Sequence, residues 1–131
     1  EVKKQIGSAV PVEEELTMIV KGRDHLTGLP RSIEVGTNEV VRAIGKELRT
    51  MINAMKDVLQ ETPPELAADI IDNGIIMTGG SSLLRNLPEL VFRRTGVKAR
   101  TAKDAPYCVA KGTGEALKHL DAYKKAIISK R

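Results

Sequence analysis

Aromatic side chains are scarce in this chain of 131 residues, where Phe92, Tyr107 and Tyr123 are the only ones. A core of this size must therefore be built from aliphatic side chains. The shortage also argues against a nucleic-acid surface that stacks bases on aromatic rings, because such a surface needs several exposed rings.

Cysteine is scarcer still, since Cys108 is the only one, and no disulfide can form within the chain. This fits a reducing compartment. Cys108 has no histidine near it in sequence, so we expect a small buried residue rather than a nucleophile. His25 and His119 lie too far apart in sequence to suggest a metal site, and we expect both at the surface. The sequence therefore indicates no catalytic machinery of its own.

Long hydrophobic runs are also missing, and no stretch approaches the roughly 20 residues that a membrane-spanning helix needs. No signal peptide is recognisable. The composition, with 41% hydrophobic and 29% charged residues, is typical of a globular domain. The net charge of +4 comes largely from the C-terminal tail, which we expect to be solvated. The first residue is Glu1 rather than Met, and we interpret the chain as a piece of a longer protein.

Hydrophobic periodicity predicts alternating strands and helices. The expected strands are residues 14–22, 31–36, 75–78 and 97–101, and the expected helices are residues 1–6, 37–59, 63–71, 86–95 and 104–128. The first two strands should form an antiparallel pair, and the last two a parallel pair joined by a crossover helix. Side-chain caps are expected from Thr37 or Asn38, Thr62 with Glu65, Ser81 or Ser82, Asn86 and Asp104. Gly112 and Gly114 are expected to loosen the last helix.

The string Thr78-Gly79-Gly80-Ser81-Ser82 follows an apolar run and precedes a new apolar pattern. It predicts a tight turn between a strand and a helix start, with backbone N–H groups directed outward. Such a turn can hold a phosphate, a ribose or a base edge, although a paired-glycine turn after a strand is more often purely structural. It matches neither the P-loop nor the G-x-G-x-x-G fingerprint.

Several strings together resemble the MreB and Mbl family of bacterial actin-like proteins. They are Arg23-Asp24, residues 27–30, residues 62–70 with the sequence Thr-Pro-Pro-Glu-Leu-Ala-Ala-Asp-Ile, Thr78-Gly79-Gly80, residues 83–87 and residues 108–114. The resemblance covers essentially the whole chain. It implies an α/β fold, namely part of an actin-like, ribonuclease-H-like ATPase domain with a small α+β subdomain. Residues 1–9 would end a nucleotide-pocket helix, residues 10–60 would form the small outer subdomain, and residues 61–131 would form an inner αβαβα segment.

The same resemblance implies an ATP or ADP site. Gly79, Gly80, Ser81 and Ser82 would contact the nucleotide, and Glu1 and Val2, with Lys3 close by, would line the adenosine pocket. Pro106 and Tyr107 would lie near the base. The family has a third glycine where this chain has Ser81, so the turn would be reshaped or strained if that position needs a positive φ. Mg²⁺ and the catalytic groups would come from residues outside this chain.

The resemblance further implies a cytoplasmic, membrane-associated filament protein that organises cell-wall synthesis and thereby controls cell shape. Its implied partners are further copies of itself, the inner face of the cytoplasmic membrane and the cell-wall synthesis machinery, but no nucleic acid. The hairpin around residues 23–30 would supply filament contacts, although a solvated hairpin edge would have the same sequence. The alternatives are another actin-like ATPase (FtsA-like, Hsp70-like or sugar-kinase-like) or a mildly basic binding module without a nucleotide role.

Overall fold

A computed structural model describes residues 1–120 and residue 123. The helices in this part are α1 (Val2–Ile6), α2 (Thr37–Glu61), α3 (Pro64–Asn73), α4 (Leu87–Thr95) and α5 (Cys108–Lys118), and the strands are β1 (Thr17–Arg23), β2 (Pro30–Gly36), β3 (Ile75–Met77) and β4 (Ala99–Thr101). Two short 3₁₀ turns, Gly80–Leu83 and Ala105–Tyr107, complete the list. The expected extension of the last helix to residue 128 lies outside the described residues.

The chain divides into two units. Residues 1–75 and 84–100 form the first, and the second contains residues 76–83 and the chain from residue 101 onward. The first unit holds most of the core, including Val91, which is fully buried, and Ile52 and Leu87, which are almost fully buried. The subdomain boundaries at residues 9 and 60 stay a prediction.

Strands β1 and β2 form the expected antiparallel hairpin, in which Thr17 pairs with Gly36 and Arg23 with Pro30. Strand β1 begins three residues later than predicted. Residues opposite each other in an antiparallel pair share a face. Met18 and Val20 of β1 therefore lie on the same face of the hairpin as the β2 residues that pair with them. This is the apolar face that the alternation predicts, and it is half-buried at both residues.

The predicted caps of α2 are wrong, because both side chains bind a distant segment instead. The Thr37 hydroxyl donates to the Leu16 carbonyl oxygen and accepts from its N–H, with both distances 3.2 Å. The Asn38 amide bonds the Val12 N–H and carbonyl oxygen, each at 2.9 Å. The Asn38 N–H donates to the Glu15 carboxylate at 2.9 Å. An acidic residue 23 positions earlier therefore supplies the negative charge that favours a helix N-terminus.

Two further cap predictions fail for related reasons. Thr62 donates its hydroxyl to the Val58 carbonyl oxygen at 2.7 Å, so it ends α2, and α3 starts after Pro63 without a side-chain cap. Asn86 precedes α4 in the left-handed region, with φ 59°, and its amide donates to the buried Ser8 hydroxyl at 3.1 Å. The side chain thus satisfies a buried polar group rather than the helix end.

The last helix also differs from its prediction. Asp104 has φ 55°, and its side chain makes no capping hydrogen bond to the turn that follows it. Helix α5 runs without a break through Gly112 and Gly114. Each glycine lowers the stability of a helix by only about 1 kcal/mol relative to alanine. The neighbouring turns of α5 can offset this loss.

Arg85 organises the polar centre of the first unit. Its guanidinium donates to the Ile6 and Gly7 carbonyl oxygens, each at 2.9 Å, and so satisfies the C-terminal end of α1. The Ala9 N–H in turn donates to the Arg85 carbonyl oxygen at 2.8 Å. Ser8, between these contacts, is completely buried. Arg85 thereby fixes the chain just after α1, which ends at Ile6 and is stopped by Gly7 as predicted.

Strands β3 and β4 pair in parallel, as the αβαβα order predicts. The Ile75 N–H donates to the Lys98 carbonyl oxygen at 2.8 Å, and the Ala102 N–H donates to the Met77 carbonyl oxygen at 2.9 Å. Both partners advance along the chain together, which defines the parallel direction. Helix α4 lies between the two strands in sequence. The glycine turn follows the end of β3.

Candidate functional site

The glycine turn leaves β3 through Thr78 and bends at Gly79, whose φ is 82°. This left-handed conformation is accessible to glycine without a steric penalty. The Gly79 N–H donates to the Ala105 carbonyl oxygen at 2.8 Å. The Gly79 carbonyl oxygen accepts the Ser82 hydroxyl at 2.7 Å and the Ser82 N–H at 3.2 Å. Both main-chain groups of Gly79 are therefore held from within the second unit.

Ser82 is the structural serine of the turn. Only 5% of it is exposed, and its carbonyl oxygen accepts the Thr101 hydroxyl at 2.9 Å. Its own hydroxyl points back to Gly79, so the predicted role as a helix cap is wrong. The local sequence does not indicate that Thr101 and Ala105 are hydrogen-bond partners of the turn, because both lie about 20 or more positions downstream of it.

Gly80 and Ser81 form the open side of the turn. Both are exposed. A Cβ atom added at Gly79 or Gly80 would meet no heavy atom within 4 Å. The first N–H groups of any helical turn have no acceptor inside it, so this side offers backbone donors next to free space. A phosphate or ribose fits such a cradle.

Ser81 occupies its position without strain. In the described part of the chain, the residues other than glycine with positive φ are Asn86 and Asp104. Ser81 therefore has an ordinary backbone angle. A strained positive φ at this position is thus excluded, and the Ser81 side chain adds an exposed hydroxyl beside the open backbone.

The second 3₁₀ turn, Ala105–Tyr107, packs beside the glycine turn within the same unit. Pro106 and Tyr107 are exposed. Both residues expected near the base of a nucleotide thus belong to the turn that packs beside the glycine turn. Their proposed role as base contacts stays a prediction.

Glu1, Val2 and Lys3 lie at the start of α1, in the first unit. Glu1 and Lys3 are exposed and Val2 is half-buried. The Gln5 side-chain amide donates to the Glu1 carboxylate at 3.1 Å, and this bond lowers the pKa of Glu1. The assignment of Glu1 and Val2 to an adenosine pocket stays a prediction.

Histidine, cysteine and acidic side chains are the usual protein ligands of a metal ion. Among the described residues, no group of three histidine, cysteine or acidic side chains is placed to hold a metal ion. His25 and His119 are exposed, as predicted, whereas Cys108 is half-buried rather than buried. No helix in this part of the chain is long and apolar enough to cross a membrane.

Comparison with known sequences gives a consistent result. The family model for the MreB/Mbl protein matches residues 1–125. The cell shape-determining protein MreB of Escherichia coli is 39% identical over 122 residues, which are 93% of this chain and 35% of that protein. The cell shape-determining protein Mbl of Bacillus subtilis is 38% identical over 129 residues, which are 98% of this chain and 39% of that protein.

Solved structures agree with the sequence matches. MreB5 of Spiroplasma citri bound to ADP is similar with a TM-score of 0.85 and 35% identity, covering 96% of this chain and 37% of that one. The AMPPNP-bound form of the same protein gives a TM-score of 0.85 at 32% identity, covering 97% and 38%. The chain thus spans somewhat more than a third of these relatives, and the predicted partial actin-like fold is confirmed. The chain belongs to the MreB/Mbl family.

Proposed function

We propose that this chain is part of an ATP-binding, filament-forming cytoskeletal protein that controls bacterial cell shape by organising cell-wall synthesis. The relatives named as cell shape-determining proteins support this function. In the proposal the protein works in the cytoplasm at the inner face of the membrane. Any Mg²⁺ ion and any group that hydrolyses ATP belong to residues outside this chain.

The nucleotide role rests on the open side of the glycine turn. Ala105 and Ser82 hold the backbone of Gly79 by hydrogen bonds, while Gly80 adjoins free space and Ser81 is exposed. A cradle that is already rigid costs little ordering when a ligand binds. The ADP and AMPPNP complexes of MreB5 support an adenine nucleotide as the ligand.

The remaining residues that the resemblance assigns to the nucleotide site have supporting roles in this proposal. Ser82 has its hydroxyl engaged and is buried, so it positions the turn, while the Gly80 backbone and the Ser81 hydroxyl touch the nucleotide. Glu1 and Val2 form the adenosine side, with Pro106 and Tyr107 near the base.

The test replaces Gly80 with aspartate in the full-length protein and measures ATP and ADP affinity by equilibrium titration. The fold has room for the new side chain, because a Cβ atom at Gly80 meets nothing within 4 Å. A carboxylate about 4 Å from a phosphate costs roughly 1–4 kcal/mol at effective dielectric constants between 80 and 20. We therefore expect affinity to fall by at least about fivefold.

Gly80→Asn is the matched control, since it has nearly the same shape without the charge. It should lose much less affinity than Gly80→Asp. Equal affinity in Gly80→Asp and the unmodified protein would remove the turn from the nucleotide site.

The filament contact is proposed for the tip of the β1–β2 hairpin. Leu26 is 92% exposed and Leu29 is 65% exposed. Beneath them the Asp24 carboxylate accepts the N–H groups of Leu26 and Thr27 at 3.0 Å and 2.9 Å. A rigid loop that presents two leucines to solvent suits burial against another protein surface.

Serine at both Leu26 and Leu29 tests this surface without disturbing the loop bonds. Sedimentation of the full-length protein with ATP should show less pelleted filament. Val58→Ser is the control, because Val58 is an apolar residue on α2 that is about as exposed as Leu29. Charge reversal at Asp24 would be ambiguous, since it would also break the loop. Unchanged pelleting of the double variant would exclude the tip as a filament contact.

A further inference from the structure

A groove of 680 Å³ runs along α2 in the first unit, with α4 and residues 9–11 forming its other wall. The glycine turn is not part of it. The floor is apolar and includes Val10, Val41, Leu48, Ile52 and Leu90. The lining on α2 extends from residue 41 to residue 56, a length of about 22 Å at the usual helical rise. The groove is therefore about as long as four turns of another helix.

The rim of this groove is strongly cationic. Its charged residues are Arg42, Arg49, Lys56, Arg93 and Arg94, and no acidic residue lines it. In the described residues, only Arg93 of this group forms an ion pair, with Glu89 one turn earlier on α4. Several positive charges around an apolar floor favour a partner that is both acidic and apolar.

The spacing along α2 is that of a helix-pairing surface. Val41, Gly45, Leu48 and Ile52 follow one another at intervals of four, three and four residues. The cations Arg42, Arg49 and Lys56 repeat every seven residues beside them. In paired helices, apolar residues at such positions form the seam, and charged residues next to the seam select the charge of the partner.

Gly45 lies in the middle of this seam without a structural requirement for glycine. A Cβ atom there would meet only the Arg49 guanidinium, at an ordinary 3.7 Å. Glycine inside a helix weakens it relative to alanine. Its presence leaves a notch in the floor of the groove, where a side chain of another helix can enter.

We propose that this groove docks an acidic amphipathic helix of a partner protein. Leucine-like side chains of that helix lie on the floor, and its carboxylates face Arg42, Arg49 and Lys56. The concave shape suits a helix better than a flat lipid surface. Stacking of nucleobases is not favoured either, because no aromatic residue lines the groove.

The experiment uses the full-length protein and a fluorescent synthetic peptide of 21 residues, with leucine at seam positions and glutamate beside them. Binding is measured by fluorescence anisotropy. The double variant Arg49→Glu with Arg94→Glu should bind at least about tenfold more weakly, because like charges then face each other. The control Lys21→Glu with Lys98→Glu reverses two exposed charges outside the groove and should bind within about twofold of the unmodified protein.

Gly45→Leu is a second variant. It should not destabilise α2 through helix propensity, because leucine favours helices more than glycine does. It fills the notch and should weaken peptide binding, while circular dichroism shows helix content unchanged or higher. The same peptide with lysine in place of glutamate should not bind the unmodified protein.

Three results would overturn the proposal. They are no binding of the acidic peptide by the unmodified protein, equal binding by the Arg49→Glu/Arg94→Glu variant, and equal binding of the lysine peptide. Vesicles containing phosphatidylglycerol form a separate arm. If the double variant loses vesicle binding but keeps peptide binding, the groove is a site for anionic lipid instead.

Discussion

The hairpin tip and the glycine turn are both short connections that follow a strand, yet they are built in opposite ways. In the hairpin tip, side chains bond the backbone: Asp24 accepts two N–H groups, and the Arg23 guanidinium donates to the Gly28 carbonyl oxygen at 2.8 Å. In the glycine turn, the bonds come from the main chain and from one buried serine.

The difference decides what each turn presents to its surroundings. The hairpin tip uses its polar atoms internally and exposes Leu26 and Leu29. The glycine turn has no side chain at positions 79 and 80, so it exposes backbone. A surface of leucines suits contact with a protein, whereas exposed N–H groups suit an anionic or polar ligand. The comparison supports assigning filament contact to the first and nucleotide contact to the second.

The largest effect within this comparison is expected for Gly79→Ala. Alanine at φ 82° should cost about 1–2 kcal/mol, because its Cβ clashes with the backbone in this region. Hydrogen exchange of residues 76–83 in the full-length protein should become faster. Gly80→Ala is the matched control and should change exchange little, since Gly80 does not have a positive φ. Equal effects of the two substitutions would contradict a special conformation at Gly79.

The sequence predicts the position of this turn but not its anchors. The paired glycines after an apolar run indicate a turn at residues 79–80, and the structure has one there. The acceptor of the Gly79 N–H is the Ala105 carbonyl oxygen, 26 positions away. Any residue type has a carbonyl oxygen, so no local pattern can identify such a partner.

Ser82→Ala should have the next largest effect. It removes the buried hydroxyl that donates to the Gly79 carbonyl oxygen, and one hydrogen bond of this kind contributes about 1 kcal/mol. We expect faster exchange at residues 79–82 and weaker nucleotide binding through loss of rigidity. Ser81→Ala, at the exposed neighbour, should leave exchange unchanged. If Ser82→Ala left the exchange rates as they are, the turn would not depend on this bond.

The capping residues show most clearly where sequence reasoning fails. Thr37, Asn38 and Asn86 are of types that commonly cap helices, and each stands at a helix start. In the structure their side chains bind Leu16, Val12 and Ser8 respectively, at sequence distances between 21 and 78 residues. Helix periodicity is visible in a local window, whereas the choice between a local cap and a distant buried partner is made by tertiary packing.

The smallest effect is expected in the hairpin tip and depends on pH. The Thr27 N–H bond, then the Arg31 guanidinium at 2.9 Å, lowers the pKa of Asp24 from 3.8 to about 2. Because the folded pKa lies below the unfolded one, the contribution of Asp24 to stability is complete above about pH 4 and is lost as the pH falls toward 2.

Amide proton shifts of Leu26 and Thr27, followed by NMR as the pH is lowered, report this titration directly. The midpoint should lie near 2 in the unmodified protein. Arg31→Ala should raise it but leave it below 3.8, since the stronger contribution from the Thr27 N–H remains. Asp24→Asn should abolish the transition, because an amide does not ionise in this range. A midpoint of 3.8 or above in the unmodified protein would mean that the loop is not held by its carboxylate, and the contrast with the glycine turn would lose its basis.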